Sequence, residues 1–258
     1  MIHHNPTDDD LQAEMVLVSD VHLQTLEDQR GQQFMKFLDL VERGSVGRFV
    51  LLGDILDFCL GSSSFYKTKF SLLGEKLKKI SQSGTEVIFL EGNHEFDLEK
   101  IHWPQIHIPR EKELILSMKN GDKILLTHGD LIYSTRRYRW FRWFIKSRFI
   151  LFIVSKIPAP LMDRIANKSA KVSRASDVYR KLDHQSILAN AAQWLNNHHC
   201  RFLIFGHFHV PYAESVGTNQ RLLSMDSWDN PNFLVYQNSQ FLRGSWSKKE
   251  GRLNLRGV

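Results

Sequence analysis

The chain has 258 residues, 42% of them hydrophobic and 24% charged, which is enough to bury the core of one large domain or two small ones. Its two cysteines, Cys59 and Cys200, have no metal-binding spacing, and no apolar run approaches the roughly 18 residues of a membrane-spanning helix. The first residues lack the apolar core of a signal peptide, so we expect a cytoplasmic protein.

Positive charge is concentrated in one part of the chain. The net charge is +6, but thirteen Lys or Arg and only three Asp lie between Leu131 and Gln185. The rest of the chain is therefore acidic overall. A basic segment of this kind indicates a negatively charged partner or substrate.

The first 130 residues alternate between buried strands and amphipathic helices, which is typical of an α/β fold. Asn120-Gly121 between two apolar runs also predicts a hairpin. The elements predicted in chain order are a strand at 14–19, a helix at 32–43, a strand at 48–52, a helix at about 68–83, a strand at 86–90 and hairpin strands at 113–118 and 123–127.

The pattern changes after Asp130. Residues 135–155 are rich in Arg, Trp and Phe, and helices are predicted at 161–173 and 177–198. Strand character returns at 201–205, and the tail predicts short antiparallel strands at 212–216, 220–225, 232–237 and 240–244. We therefore predict a single domain over residues 1–258, with an α/β core and a helical insertion at 131–197, called the cap below.

Five short clusters of potential metal ligands each follow an apolar run. In a layered α/β fold the ends of buried strands meet at one edge, where distant ligands can converge. Asp, His and Asn without Cys suit divalent cations such as Mn²⁺, Fe²⁺, Zn²⁺ or Mg²⁺. The clusters are Asp20-Val21-His22, Gly53-Asp54, Gly92-Asn93-His94-Glu95, Thr127-His128-Gly129-Asp130 and Gly206-His207-Phe208-His209.

The clusters predict a two-metal hydrolase. Asp54 is the only ligand candidate of its cluster, and its carboxylate can bridge two cations. Two cations about 3.5–4 Å apart stabilise both the attacking and the departing oxygen of a displacement at phosphorus. The predicted ligands are Asp20, His22, Asp54, Asn93, His128, His207 and His209.

His94 is the predicted general acid. It is adjacent to the ligand Asn93, so its side chain is expected to point to the substrate and to protonate the leaving oxygen. Asp57 is expected to accept a hydrogen bond from the other ring nitrogen and so to fix the tautomer. Glu95 and Asp130 are interpreted as supporting or solvated groups.

The set D-x-H, G-D-x-x-D, G-N-H-E, H-G-D and G-H-x-H, spread from Asp20 to His209, resembles that of calcineurin-like metallophosphoesterases. The resemblance implies a four-layer α/β/β/α sandwich with a dinuclear centre. It also implies that Asp54 is shared by both metals. One metal would take Asp20, His22, Asp54 and His209, and the other Asp54, Asn93, His128 and His207.

The position of the cap, between H-G-D and G-H-x-H, is similar to that in the UDP-2,3-diacylglucosamine pyrophosphohydrolases of lipid A synthesis. Lys168 and Lys171 are expected to meet substrate phosphate near the mouth of the site, with Asn167 as a hydrogen-bond donor, and the stretch that contains them resembles the polar stretch of the cap in that subfamily. One feature departs from the subfamily, whose familiar members have Arg where this chain has His94. The exact substrate therefore stays open.

The sequence is compatible with three functions. The first is a peripheral-membrane pyrophosphatase that cleaves UDP-2,3-diacylglucosamine to UMP and a lipid sugar phosphate, with residues 136–154 on an anionic inner membrane face. The second is a nuclease or nucleotide phosphodiesterase whose basic, aromatic cap binds nucleic acid. The third is a membrane-bound scaffold. The intact ligand set disfavours the scaffold, and the apolar run 149–154 disfavours the nuclease. The cap could also be two helices packed on the core with solvated charges.

Overall fold

The computed structural model describes residues 11–158, 161, 183–246 and 253–258. The described helices are α1 (Gln29–Arg43), α2 (Ser64–Lys69), α3 (Ser71–Gln82), α4 (Arg136–Ile145), α5 (Arg148–Ser155) and α6 (His184–Asn197), with a 3₁₀ turn at Leu98–Ile101. The described strands are β1 (Gln12–Val18), β2 (Ser45–Leu52), β3 (Cys59–Leu60), β4 (Glu86–Leu90), β5 (Glu95–Phe96), β6 (Ile106–His107), β7 (Glu113–Ser117), β8 (Lys123–Thr127), β9 (Phe202–Phe205), β10 (Ala213–Val216), β11 (Gln220–Ser224), β12 (Asn232–Gln237), β13 (Gln240–Trp246) and β14 (Leu253–Gly257).

Two sheets form the centre of the fold. The larger has the order β14-β13-β12-β1-β2-β4-β6, and the smaller has the order β10-β11-β9-β8-β7. In the larger sheet β1, β2, β4 and β6 run parallel, while β12 pairs antiparallel with β1. In the smaller sheet β9 is parallel to both β8 and β11.

Strand β1 shows why the strands appear in the sequence as unbroken apolar runs. Met15 and Leu17 belong to the apolar cluster between the two sheets, whereas Val16 and Val18 belong to the cluster under α1 and α3. All four side chains are fully buried, because both faces of the sheet are covered. On the outer face of the smaller sheet, α6 packs through Ile187, Ala191 and Leu195. The layers are thus α/β/β/α, which confirms the predicted four-layer sandwich.

Two elements differ from the sequence prediction. The helix predicted at about 68–83 corresponds to α3, and a separate short helix that was not predicted, α2, ends just before it, where the chain turns at the buried Phe70. Helix α6 lies within the predicted cap, yet it packs on the core sheet. Most of the predicted helix at 161–173 lies outside the described residues. In the part of the chain that the structure describes, no helix is long and apolar enough to cross a membrane.

Candidate metal centre

Five of the seven predicted ligands have a left-handed backbone conformation, which non-glycine residues rarely adopt. Such strain persists only where surrounding contacts fix it, and it is concentrated at functional sites. The left-handed conformation turns the chain sharply where each strand ends. The residues and their φ angles are Asp20 (54°), His22 (52°), Asp54 (52°), His207 (70°) and His209 (55°).

Hydrogen bonds join the loops from the two sheets. The Ser19 hydroxyl donates to Asp20 Oδ2 at 2.6 Å, and its oxygen also lies 3.0 Å from the main-chain oxygen of Leu52. The amide of His207, which follows β9 of the other sheet, donates to Asp20 Oδ2 at 3.0 Å. The amide of Gly206 donates to the oxygen of His128 at 2.9 Å. Hydrogen bonds within the protein therefore fix the carboxylate of Asp20 without the help of a bound ion.

The first ligand cluster consists of Asp20, His22 and His209, each of which offers an atom within 4.8 Å of the others. Nε2 of His209 lies 3.5 Å from Nε2 of His22 and 3.3 Å from Oδ1 of Asp20. Asp20 is fully buried and the His22 side chain is only 10% exposed, whereas that of His209 is 32% exposed, so the cluster opens to solvent on the His209 side.

The second cluster consists of Asp54, His128 and His207, under the same 4.8 Å limit. Nε2 of His128 lies 3.3 Å from Oδ2 of Asp54 and 3.0 Å from Oδ1 of Asn93. Nδ1 of His128 donates to the main-chain oxygen of Leu52 at 3.1 Å. This hydrogen bond makes Nε2 the ring nitrogen that faces Asp54 and Asn93.

The charges of the site favour bound cations. Burial alone would raise the pKa of Asp54, but His128 and His94 hold it well below its usual range, so the carboxylate is ionised. Burial alone would lower the pKa of His128, but the Asp54 carboxylate raises it to about 10. Burial lowers the pKa of His22 to about 4, and burial together with the charge of His128 does the same for His207. His22 and His207 are thus neutral ligands beside buried anions.

The residues fit a pair of divalent cations. Nε2 of His128 lies 3.0 Å from Oδ1 of Asn93, where its proton can form a hydrogen bond; a bound cation would take the place of that proton and use both atoms as ligands. The two imidazole nitrogens of His22 and His209, 3.5 Å apart, can likewise share a proton or bind one cation together. Ligands that bind one cation at about 2.0–2.2 Å are separated by about 3–3.5 Å, which is the spacing found here.

His94 is oriented by the main chain. Its Nδ1 donates to the main-chain oxygen of Asp57 at 2.7 Å, while Nε2 points into the site, 3.8 Å from Oδ2 of Asp54. The prediction named the correct residue, but the oxygen that accepts is the carbonyl and not the carboxylate. The Asp57 carboxylate accepts from Nε2 of Gln24 at 3.1 Å and lies 3.9 Å from Nδ1 of His22. Although burial opposes it, the Asp54 charge raises the pKa of His94.

Glu95 is a supporting residue that the sequence left undefined. Its fully buried carboxylate accepts from the amides of Asp54 (2.9 Å), Leu56 (3.0 Å) and Gly92 (2.8 Å). Burial, together with the charge of Asp54, raises its pKa to about 7. It ties the Asp54 loop to the loop that carries Asn93. The sequence signal was its position in Gly92-Asn93-His94-Glu95, which gave no indication of these three amide donors.

We expect Glu95→Gln to weaken Mn²⁺ binding and activity about 10–100-fold, the usual cost of losing a group that orients ligands. The amide NH₂ of glutamine would face at least one of the three main-chain donors. Isothermal titration with Mn²⁺ checks this, and Glu75→Gln, an exposed position on α3, is the matched control. Parent-like Mn²⁺ affinity in folded Glu95→Gln would contradict the role.

Close packing explains the glycines of two motifs. Gly53 has a φ of 80°, and a Cβ there would lie 2.6 Å from Nδ1 of His128. At Gly206 a Cβ would collide with the Ser19 hydroxyl and the Asp20 carboxylate. Only glycine allows the loops to approach so closely.

Helices α4 and α5 expose six large aromatic side chains, called the aromatic face. Phe149 and Trp143 are 70% and 68% exposed. Leu151 and Val154 of α5, with Ile157 just after the helix, pack on the core. The predicted substrate-binding residues Asn167, Lys168 and Lys171 lie outside the described residues. The aromatic face consists of Trp140, Phe141, Trp143, Phe144, Phe149 and Phe152.

Comparison with known proteins gives consistent findings. The family model described as calcineurin-like phosphoesterase matches residues 14–211. The UDP-2,3-diacylglucosamine hydrolase of Pseudomonas fluorescens (strain Pf-5) is 23% identical over 231 residues, covering 88% of this chain and 92% of that protein. The enzyme of the same name from Salmonella newport is 26% identical over 238 residues, covering 90% and 93%. Among solved structures, Vps29 of Chaetomium thermophilum has a TM-score of 0.49 at 8% identity, covering 95% and 96%.

Proposed function

The chain belongs to the calcineurin-like phosphoesterase family and is a metal-dependent hydrolase, and on that premise we propose that it cleaves the pyrophosphate of a nucleotide-linked lipid. The proposed substrate is UDP-2,3-diacylglucosamine or a close analogue. The products would be UMP and a lipid sugar phosphate.

The main observation in support of this proposal is that the chain brings together two clusters of metal ligands, one around Asp20 and the other around Asp54. We propose that one ion takes Asp20, His22, Asp54 and His209, and the other Asp54, Asn93, His128 and His207. Nitrogen and oxygen ligands without sulfur suit Mn²⁺, which we propose as the ion, with Fe²⁺, Zn²⁺ and Mg²⁺ as substitutes. Such ions, when bound, activate water and neutralise charge on phosphoryl oxygens.

The protein's own residues supply orientation and a proton. His94 donates from Nδ1 to the carbonyl of Asp57, so its Nε2 is aimed at the space above Asp54. In its protonated form, Nε2 can pass a proton to the leaving oxygen. Glu95 holds the loops of Asp54 and Asn93 in register during the reaction.

The lipid part of the proposal is supported by the names of the curated relatives, which the chain matches over most of its length. The aromatic face supports it independently. An apolar surface of this kind, beside Arg136, Arg137 and Arg139 on the same helix, suits lipid chains and anionic headgroups better than a phosphate backbone alone. We therefore propose a peripheral position on the cytoplasmic face of an anionic membrane.

Flotation with vesicles tests the membrane contact. We expect the protein to float with vesicles containing phosphatidylglycerol, and to be released by salt because basic residues contribute to binding. Trp143→Ser combined with Phe149→Ser should abolish flotation. Leu72→Ser, which removes an exposed apolar side chain from α3, outside the aromatic face, is the control. Unchanged flotation of the double variant would rule out the aromatic face as the contact.

The substrate proposal is tested by a product assay with Mn²⁺-loaded protein. We expect UMP and lipid sugar phosphate in equal amounts from UDP-2,3-diacylglucosamine. A parallel screen includes cyclic nucleotides and single-stranded DNA. Cleavage of DNA without release of UMP from the lipid would replace the lipid proposal with the nuclease.

A further inference from the structure

Lys146, at the C-terminal end of α4, inserts its amino group into the segment of residues 91–96, which carries Asn93 and His94. The amino group donates to Oε1 of Glu91 at 2.8 Å, to the main-chain oxygen of Gly92 at 2.7 Å and to that of Glu95 at 2.8 Å. It also lies 5.0 Å from the ring centroid of Phe96. The side chain is only 12% exposed, so all three donors are used within the protein.

The two carbonyl groups that Lys146 contacts flank the residues that do the chemistry. Gly92 immediately precedes Asn93, and Glu95 immediately follows His94. A single amino group therefore fixes both ends of the segment that carries a proposed metal ligand and the proposed acid. Glu91, the third partner, also accepts from Lys112 and from the amide of Leu98, so the contact is part of a wider network.

A second contact attaches the same helix to the loop that carries the proposed ligand His128. Arg142, four residues before Lys146 and so on the same face of α4, is buried and forms an ion pair with Asp130. The Tyr138 hydroxyl donates to the same carboxylate at 3.3 Å. Asp130 lies two residues after His128. One face of α4 thus contacts both metal loops, while another exposes Trp140 and Trp143.

We propose that Lys146 is a positioning residue for catalysis, which sets Asn93 and His94 in place by holding the carbonyl groups of Gly92 and Glu95. The proposal deepens the proposed metal-dependent hydrolysis and does not depend on the lipid substrate. It also means that the helix bearing the aromatic face is attached directly to the metal centre, and is not merely placed beside it.

The test uses Lys146→Met, which keeps the length of the side chain but removes the donors. We measure kcat and KM with bis(p-nitrophenyl) phosphate, a small soluble substrate, and Mn²⁺ affinity by titration calorimetry. We expect kcat to fall about 10–100-fold and Mn²⁺ affinity to weaken, with KM changed less than about twofold. Lys156→Met, at the exposed end of α5, is the matched control and should behave as the parent.

A purely structural role predicts a different result. Lys146→Met would then lower Tm but keep the parent kcat per folded molecule at low temperature, and this result would overturn the proposal. If Lys146→Met does not fold, Lys146→Arg decides, because a planar guanidinium cannot direct three donors to these acceptors from one nitrogen. A parent-like kcat in Lys146→Arg would overturn the proposal. The soluble substrate separates these outcomes from failure of the lipid assignment.

Discussion

Asp54→Ala is expected to lower activity by at least about 10³-fold, because the carboxylate between the two clusters would be lost and metals contribute several kcal/mol to such reactions. Asp54 Oδ2 lies 3.3 Å from Nε2 of His128, and its Oδ1 accepts from the amide of His94 at 2.9 Å. The change therefore removes a ligand and a loop contact together.

Metal analysis distinguishes this effect from loss of fold. Parent protein and variant are equilibrated with Mn²⁺, and bound metal is measured by elemental analysis alongside circular dichroism. We expect the variant to be folded and to bind no more than one ion tightly. Asp39→Ala, which removes a carboxylate from an ion pair on α1, is the control. Two tightly bound ions in Asp54→Ala would contradict the bridging role.

His94→Ala is expected to slow hydrolysis of esters with poor leaving groups by about 10²–10⁴-fold, the usual contribution of a positioned proton donor. The effect on p-nitrophenyl esters should be far smaller, because that leaving group departs without protonation. The geometric basis is Nδ1 held by the carbonyl of Asp57, with Nε2 free to face the leaving oxygen.

The measurement is a plot of rate against leaving-group acidity for a series of aryl and alkyl esters of one phosphate. The slope should be steeper for His94→Ala than for the parent. His107→Ala, at the exposed end of β6, should leave it unchanged. Equal losses on good and poor leaving groups would show that His94 supports the site by another route.

The ligand clusters could be predicted because each follows a strand whose apolar residues identify it. Buried runs such as β4, predicted at 86–90 and observed at Glu86–Leu90, are determined by local pattern alone. A parallel arrangement brings their ends to one edge, which is why separated motifs converge.

The supporting contacts could not be predicted. Glu95 and Lys146 act through main-chain groups of distant loops, and no side-chain pattern records which amide or carbonyl group they meet. The same reason explains why the carbonyl of Asp57, and not its carboxylate, orients His94. The left-handed conformation of Asp20 or His209 also depends on the assembled site and not on local preference.

Helix α2 was not predicted, and the helix predicted at about 68–83 is observed as α3. Tyr66 of α2 and Leu73 of α3 pack into the same core cluster, on either side of the turn at the buried Phe70. The position of α2 thus depends on tertiary packing that a local pattern does not record.

We propose that five loops build one centre for two metals. The most direct test is an anomalous difference map from crystals of the Mn²⁺-loaded protein. We expect two peaks about 3.5–4 Å apart, one among Asp20, His22 and His209 and the other among Asp54, His128 and His207. A single peak would contradict the dinuclear centre. So would a peak among His22, Asp57 and His94, whose ligand atoms also lie within 4.8 Å of one another.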